Sequence, residues 1–180
     1  MHSKTLFKQD FLKKWVLGLQ YYGCSTKEMS ISERTKAIKL SSDVAMASCR
    51  DGKTCWSRAV ITDASKQGEN KSLVRKILGN EYEKLTKYSI RSLVCNKRVR
   101  SKKILRKSRK SRPLVVLAST VIAKRMVNKR TRMLKDLVPG GDSIDDSFLL
   151  EETLDYILSL KAQVDVMRRF VSASESLICK

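Results

Sequence analysis

Histidine, cysteine and paired carboxylates are the raw material of acid–base, nucleophilic and metal chemistry, and this sequence uses them sparingly. Its only histidine is His2, beside Met1, which nearly excludes imidazole base chemistry and His-ligated metal sites. The five cysteines, Cys24, Cys49, Cys55, Cys95 and Cys179, never form a C-x-x-C pair. Their odd number and scattered spacing fit neither a zinc site nor a disulfide framework and point to reduced intracellular thiols. Gly140-Gly141 follows a proline and leads into acids, without the Lys-Ser/Thr that a phosphate cradle needs. The expectation is a protein with no catalytic residues, no cofactor and no metal.

The chemistry the residues do offer is electrostatic. Lys97, Arg98, Arg100, Lys102, Lys103, Arg106, Lys107, Arg109, Lys110 and Arg112 put ten bases into sixteen residues. Like charges at that density repel, so the tract is expected to be solvated, and its functional readings are nuclear import and phosphate-backbone contact. The 180-residue chain carries +20 formally, unevenly spread. Residues 1–90 hold 17 basic and 9 acidic side chains, residues 91–138 hold 17 and 1, and residues 139–180 hold 4 and 8. A basic excess this large argues for a polyanionic partner or compartment. The nucleus is the expected location.

Positioning these groups falls to helices. Hydrophobic residues make up 42% of the chain, yet only 7 Gly and 2 Pro are present, too few to punctuate a β-sandwich or barrel. Ile31 to Cys49 suits a helix, with Ser30 and Glu33 as its capping box. Cys55 to Asp63 is a short apolar piece anchored by Trp56, and Ser72 to Leu78 suggests another turn or two of helix. No unbroken apolar core opens the chain as in a secretory leader. The longest apolar run, Leu114 to Ala123, is about half what a membrane-spanning helix needs, so a soluble protein without membrane partners is expected.

The two prolines, Pro113 and Pro139, bracket 25 residues free of Gly and Pro. They predict a helix from about residue 114 to 138, roughly 37 Å long at 1.5 Å per residue. Val127, Leu134, Leu137 and Val138 lie on one side, while Lys124, Arg125, Lys129, Arg130, Arg132 and Lys135 fill most of the rest, the pattern of an amphipathic basic helix. After a loop, Asp145, Asp146 and Ser147 are candidate N-caps, with Glu151 and Glu152 in the first turns. Leu150, Leu154, Ile157, Leu160, Val164, Met167 and Val171 then step by fours and threes. That is the seam of a helix packed along another helix. A lone helix–loop–helix cannot bury such a seam. A second copy or a partner can, and the alternative is a core helix folded back onto the chain's own N-terminal part.

A basic helix ending in Leu134, Leu137, Val138 and Pro139, followed by a short loop and Leu150, Asp155, Tyr156, Ile157 and Leu160, resembles the basic helix–loop–helix (bHLH) regulators. The stretches KRTRMLKDLVPGG, LLEETLDYILSLKAQVDVM and DGKTCWSRAVI are more closely similar to the IBH-like growth inhibitors, an atypical plant group of that family. The resemblance implies an all-α fold, a helix–loop–helix dimerisation module that forms a parallel four-helix bundle when paired, and a less ordered, partly helical N-terminal region. It divides the chain into an N-terminal segment at 1–29 whose order the sequence leaves open, a small helical region at 30–90 and a basic linker with the nuclear localisation tract at 91–112. An atypical bHLH domain at 111–162 and an extension of the second helix with a tail at 163–180 follow. Dimerisation would use Val127, Leu134, Leu137, Val138, Leu150, Leu154, Ile157, Leu160, Val164 and Met167.

Departures from the family pattern fall on the DNA-reading surface. Where DNA-binding members place His, Glu and Arg, this chain has Val116, Thr120 and Lys124, and neither Val nor Thr can accept from a cytosine amino group as a carboxylate does. Where many members carry a phosphate-contacting Lys at the start of the second helix, Asp146 stands here and repels the backbone. Lys124, Arg125, Lys129 and Arg130 remain as candidate phosphate contacts, so DNA binding by the protein alone is expected to be weak or absent. The resemblance thus implies a nuclear regulator that pairs with other bHLH or HLH proteins, inhibits the DNA-binding ones, and represses cell elongation in brassinosteroid-linked growth. Heterodimers are expected, with homodimers left open. The alternatives are a directly DNA-binding repressor that uses the 97–112 cluster and, further off, a basic RNA-associated helical protein.

Overall fold

The computed structural model describes residues 2–23, 29–66, 68–86 and 114–178, which are helical almost throughout, with no strand among them. The expected all-α class holds. The helices are α1 (His2–Gly23), α2 (Ile31–Ser48), α3 (Cys55–Lys66), α4 (Lys71–Leu78), α5 (Leu114–Leu137) and α6 (Asp146–Ile178). Residues 82–86 add a further helical stretch. The basic tract at 97–112 lies outside the described residues.

Helix α2 starts where its cap was expected. Ser30 Oγ accepts from the Glu33 backbone N–H at 3.3 Å, and the Glu33 carboxylate accepts from the Ser30 N–H at 2.9 Å. The backbone hydrogen bond from Ser30 is the main reason the Glu33 carboxyl sits below its ordinary value. The face α2 buries is built from small residues, among them Ala37, Ser41, Ala45 and Ser48, and it lets α1 come close. A Cβ placed on Gly18 of α1 would meet Ser41 Cβ at 2.8 Å, closer than such atoms pack.

The N-terminal residues, whose order the sequence left open, form helix α1 and enter the core. Phe7, Phe11, Trp15, Leu19 and Tyr22 recur at helical spacing along α1, and Phe11 and Trp15 are buried in the core. The lysines at positions 8, 13 and 14 interrupt this row in sequence but stand beside it on the helix. Val44 and Met46 of α2, Trp56 and Ile61 of α3, Leu73, Val74 and Ile77 of α4, then Tyr82 and Leu85 complete the bundle core. Fully burying side chains of this size stabilises by about 1.5–3 kcal/mol each before conformational entropy is set against it. Leu149 and Val166 of α6 and Val138 and Ile144 at the turn before it join the same core.

The turn between α5 and α6 needs both of its glycines. Gly140 adopts φ 72°, in the left-handed region. A Cβ on Gly141 would lie 2.1 Å from the Lys135 carbonyl oxygen. The Gly141 N–H donates to the Val138 carbonyl at 2.9 Å, and the Ile144 N–H donates to the Gly141 carbonyl at 3.0 Å. The pair therefore closes a tight helical corner, and Ile144, which is buried, pins it to the bundle.

Candidate functional site

Helix α6 presents two faces with opposite fates. On one, Glu152 reaches the start of α3, where its carboxylate accepts the Cys55 N–H at 2.9 Å and the Trp56 N–H at 3.4 Å. The first turn of α3 has no internal partners for those N–H groups, so a side chain of α6 caps it. Trp56 Nε1 donates to Asp155 at 3.0 Å, and the Trp56 and Tyr156 rings lie 5.1 Å apart. Arg50, just past α2, pairs with Asp155 at 2.7 Å, donates to Ser159 Oγ at 2.9 Å and stacks 4.7 Å over the Phe7 ring.

Further along, Gln163 donates to Ser42 Oγ at 2.8 Å and to Asp43 at 3.1 Å. Burial pushes the Asp43 carboxyl up, and the Gln163 hydrogen bond opposes that shift. Lys8 of α1 donates to Asp165, and the Trp15 ring meets the edge of Phe170 at a centroid distance of 5.4 Å. Glu152, Asp155, Tyr156, Ser159 and Gln163 follow one helical row. Sequence reasoning did not assign them this docking role; the available signal was a polar row at helical spacing beside the apolar seam. The DGKTCWSRAVI and LLEETLDYILSL stretches, separate in sequence, form one interface.

The other face of α6 carries a row of uncovered apolar side chains. Leu150 is 72% exposed and Ile157 53%, and Leu154, Val164 and Val171 are exposed as well. Leu160 and Met167, placed in the same seam by their spacing, are instead half-buried against the core. The chain does fold back on α6, along the polar row and the side carrying Leu149, Leu160, Val166 and Met167, and leaves Leu150, Leu154, Ile157, Val164 and Val171 exposed.

Helix α5 leaves the bundle almost bare. Every described side chain from Ser119 to Arg130 is exposed. Val127 is exposed, Leu137 is 73% exposed, Leu134 is half-buried and Val138 is buried at the corner. Thr120, Lys124, Arg125, Lys129 and Arg130 all face solvent; Val116 falls within α5, and its side chain lies outside the described residues. Asp146 pairs with Lys135 at 2.8 Å, so the acid at the head of α6 also takes up a lysine charge of α5.

Two thiols are described. Burial pushes both Cys49 and Cys55 up from the ordinary thiol value, and for Cys55 the nearby Glu152 carboxylate adds to the effect. Such thiols stay protonated and are poor nucleophiles. Among the described residues no cluster of His, Cys, Asp and Glu could hold a metal ion. None of their helices is long and apolar enough to cross a membrane.

Comparisons with known proteins place the chain in a family. The family model described as IBH1-like, N-terminal domain, matches residues 4–68, which span α1 to α3. The chain is 46% identical over 183 residues to the transcription factor IBH1-like 1 of Arabidopsis thaliana, covering 99% of this chain and 99% of that protein. It is 32% identical over 152 residues to the transcription factor bHLH147 of the same plant, covering 84% of this chain and 59% of the relative. The transcription factor IBH1 of Oryza sativa subsp. japonica is 52% identical over 42 residues, 23% of this chain and 21% of that protein. No solved structure matches. A near-complete match to one relative, together with the N-terminal domain match, means that the chain belongs to the IBH1-like family.

Proposed function

We propose that this transcription regulator pairs through α5 and α6 with bHLH proteins and keeps them from DNA. The observation that carries the reading is the division of α6: its polar row is occupied by the chain's own bundle, while the apolar row beginning at Leu150, Leu154 and Ile157 is left uncovered. Exposed apolar side chains in a continuous row are the mark of an interface awaiting a partner. Val127 and Leu137 of α5 are exposed as well, and in this reading they contribute to the same pairing surface. With Val116, Thr120 and Lys124 in place of base-reading residues, the pair would have one arm unable to read its half-site. Each mismatched base pair costs roughly 1–3 kcal/mol of discrimination, so losing a whole arm removes most of the specificity.

In this reading residues 1–86 are a docking bundle for α6, residues 91–112 form the nuclear localisation tract, and residues 111–162 are the bHLH-like module. Restraint of cell elongation, in opposition to brassinosteroid-promoted growth, is the biological role that the family likeness suggests. The test is an electrophoretic shift on E-box DNA with the protein alone, with a DNA-binding bHLH partner, and with both. Loss of the partner's shift only in the mixture supports the proposal, and that loss should disappear in the Leu150→Asp/Ile157→Asp variant. A discrete, sequence-specific shift by the protein alone overturns it.

A further inference from the structure

The exposed row of α6 is not wholly apolar. With Leu160 and Met167 turned toward the bundle, the exposed positions that continue the row from Leu150 at heptad spacing are Leu154, Ile157, Lys161, Val164, Arg168 and Val171. Their spacing alternates strictly between four and three residues, the repeat of a two-stranded seam. Leu150, Ile157, Val164 and Val171 occupy one set of core positions. Leu154, Lys161 and Arg168 occupy the other. Two of the three are therefore cations.

In a parallel pair made of two copies, equivalent core positions meet across the seam. Lys161 would face Lys161 of the copy and Arg168 would face Arg168, with apolar side chains above and below. Like charges brought together in a partly desolvated seam repel, and a lysine at such a position selects register and partner at the expense of stability. The nearest acids of α6 do not relieve this. Asp165 accepts from Lys8 and lies 3.6 Å from Arg169, and Asp155 pairs with Arg50 at 2.7 Å. Both are spent on holding the bundle. Phe7, Lys8 and Arg50 form the bundle-side wall of an open groove whose α6 side includes Lys161, Val164 and Arg168; Asp155 and Asp165 line it as well, and the four cations still outnumber the two acids.

We propose that Lys161 and Arg168 direct α6 away from a second copy of itself and toward a partner helix that carries carboxylates opposite these two positions. The proposal rests on the pairing reading above and adds to it the chemistry of the partner. A helix–loop–helix protein with Asp or Glu at the matching core positions would neutralise both cations, and its apolar core positions would cover Leu150, Leu154, Ile157 and Val164. Selectivity then comes from one repulsive and one attractive arrangement of the same two side chains.

Sedimentation equilibrium of three full-length proteins tests this: the natural chain, Lys161→Leu/Arg168→Leu and Lys161→Glu/Arg168→Glu. All substitutions fall on exposed positions, and circular dichroism confirms that helix content is kept. The leucine variant is expected to self-associate at least about 100-fold more tightly than the natural chain, which is about 2.8 kcal/mol at 1.4 kcal/mol per tenfold. An equimolar mixture of the natural chain and the glutamate variant is expected to form a mixed dimer tighter than either protein with itself, weakening as salt is raised. A natural chain that self-associates as tightly as the leucine variant overturns the proposal, and so does a mixture no tighter than its components. Adding Leu150→Asp and Ile157→Asp to the leucine variant separates the two ideas. A dimer that survives those changes defeats the pairing surface itself, whereas its loss, alongside a failed mixture, defeats only the charge selection.

Discussion

Glu152 illustrates how one side chain can belong to two elements. It was expected in the first turns of α6, where its charge suits the helix dipole, and it does sit there. Its carboxylate nevertheless serves α3, accepting the Cys55 N–H from a residue 97 positions earlier. Replacing it with alanine strands those N–H groups, and loss of a helix cap costs about 1–2 kcal/mol. Glu152→Ala should therefore lower the urea midpoint with little change in the slope of the transition, read by far-ultraviolet circular dichroism. An unchanged midpoint would mean water caps α3 equally well. The Ser30–Glu33 box could be seen in the sequence because its partners are three residues apart; the Glu152 cap could not, because only the fold brings its partners together.

Among the elements, α5 and α2 were the most legible. Pro113 and Pro139 bound α5 to within a residue or two of its observed span, Leu114–Leu137, and the Ser30 box starts α2. Helix α1 was hidden by its lysines, although Phe7, Phe11, Trp15 and Leu19 repeat every fourth residue. Part of its attachment to α6 is electrostatic. The hydrogen bond from Lys8 is the main cause holding the Asp165 carboxyl below its ordinary value. A depressed carboxylate adds stability above the ordinary carboxylate range and loses it as pH falls through the lowered value. Acidification through that range should therefore loosen α1 from α6, and the Asp165→Asn variant should lack this component. Trp15, edge-to-face with Phe170, gives the readout through its fluorescence. Identical acid profiles for the natural chain and the variant would remove Asp165 from the attachment.

For the molecule as a whole, the seam and the bundle stand in a relation that no single motif reveals. The spacing of Leu150, Leu154 and Ile157 announced a helix that packs along another, and the fold leaves those residues uncovered. Which neighbouring positions complete the row was not readable, because Leu160 and Lys161 both suit a repeat of threes and fours, and only contact with the bundle decides between them. The same contact predicts that a chain lacking residues 1–86 loses much of its helicity in α6, since most helical stability in proteins comes from tertiary packing. Circular dichroism of that truncated chain, with and without a pairing partner, checks this; full helicity in the truncated chain alone would show that α6 needs no support.

That support has a kinetic meaning. A pairing helix that is unfolded when free must be ordered during association, which lowers affinity and leaves a large heat-capacity signature. Here the Trp56, Arg50 and Gln163 contacts hold α6 in shape before any partner arrives. Under the proposed pairing, encounter would be the docking of a preformed ridge, with the ordering entropy already met within the chain. If α6 pairs as proposed, such a regulator would have less ordering left to do in the collision than one whose pairing helix folds only on contact, so the N-terminal bundle would weigh in any competition for shared partners without covering Leu150, Leu154 or Ile157.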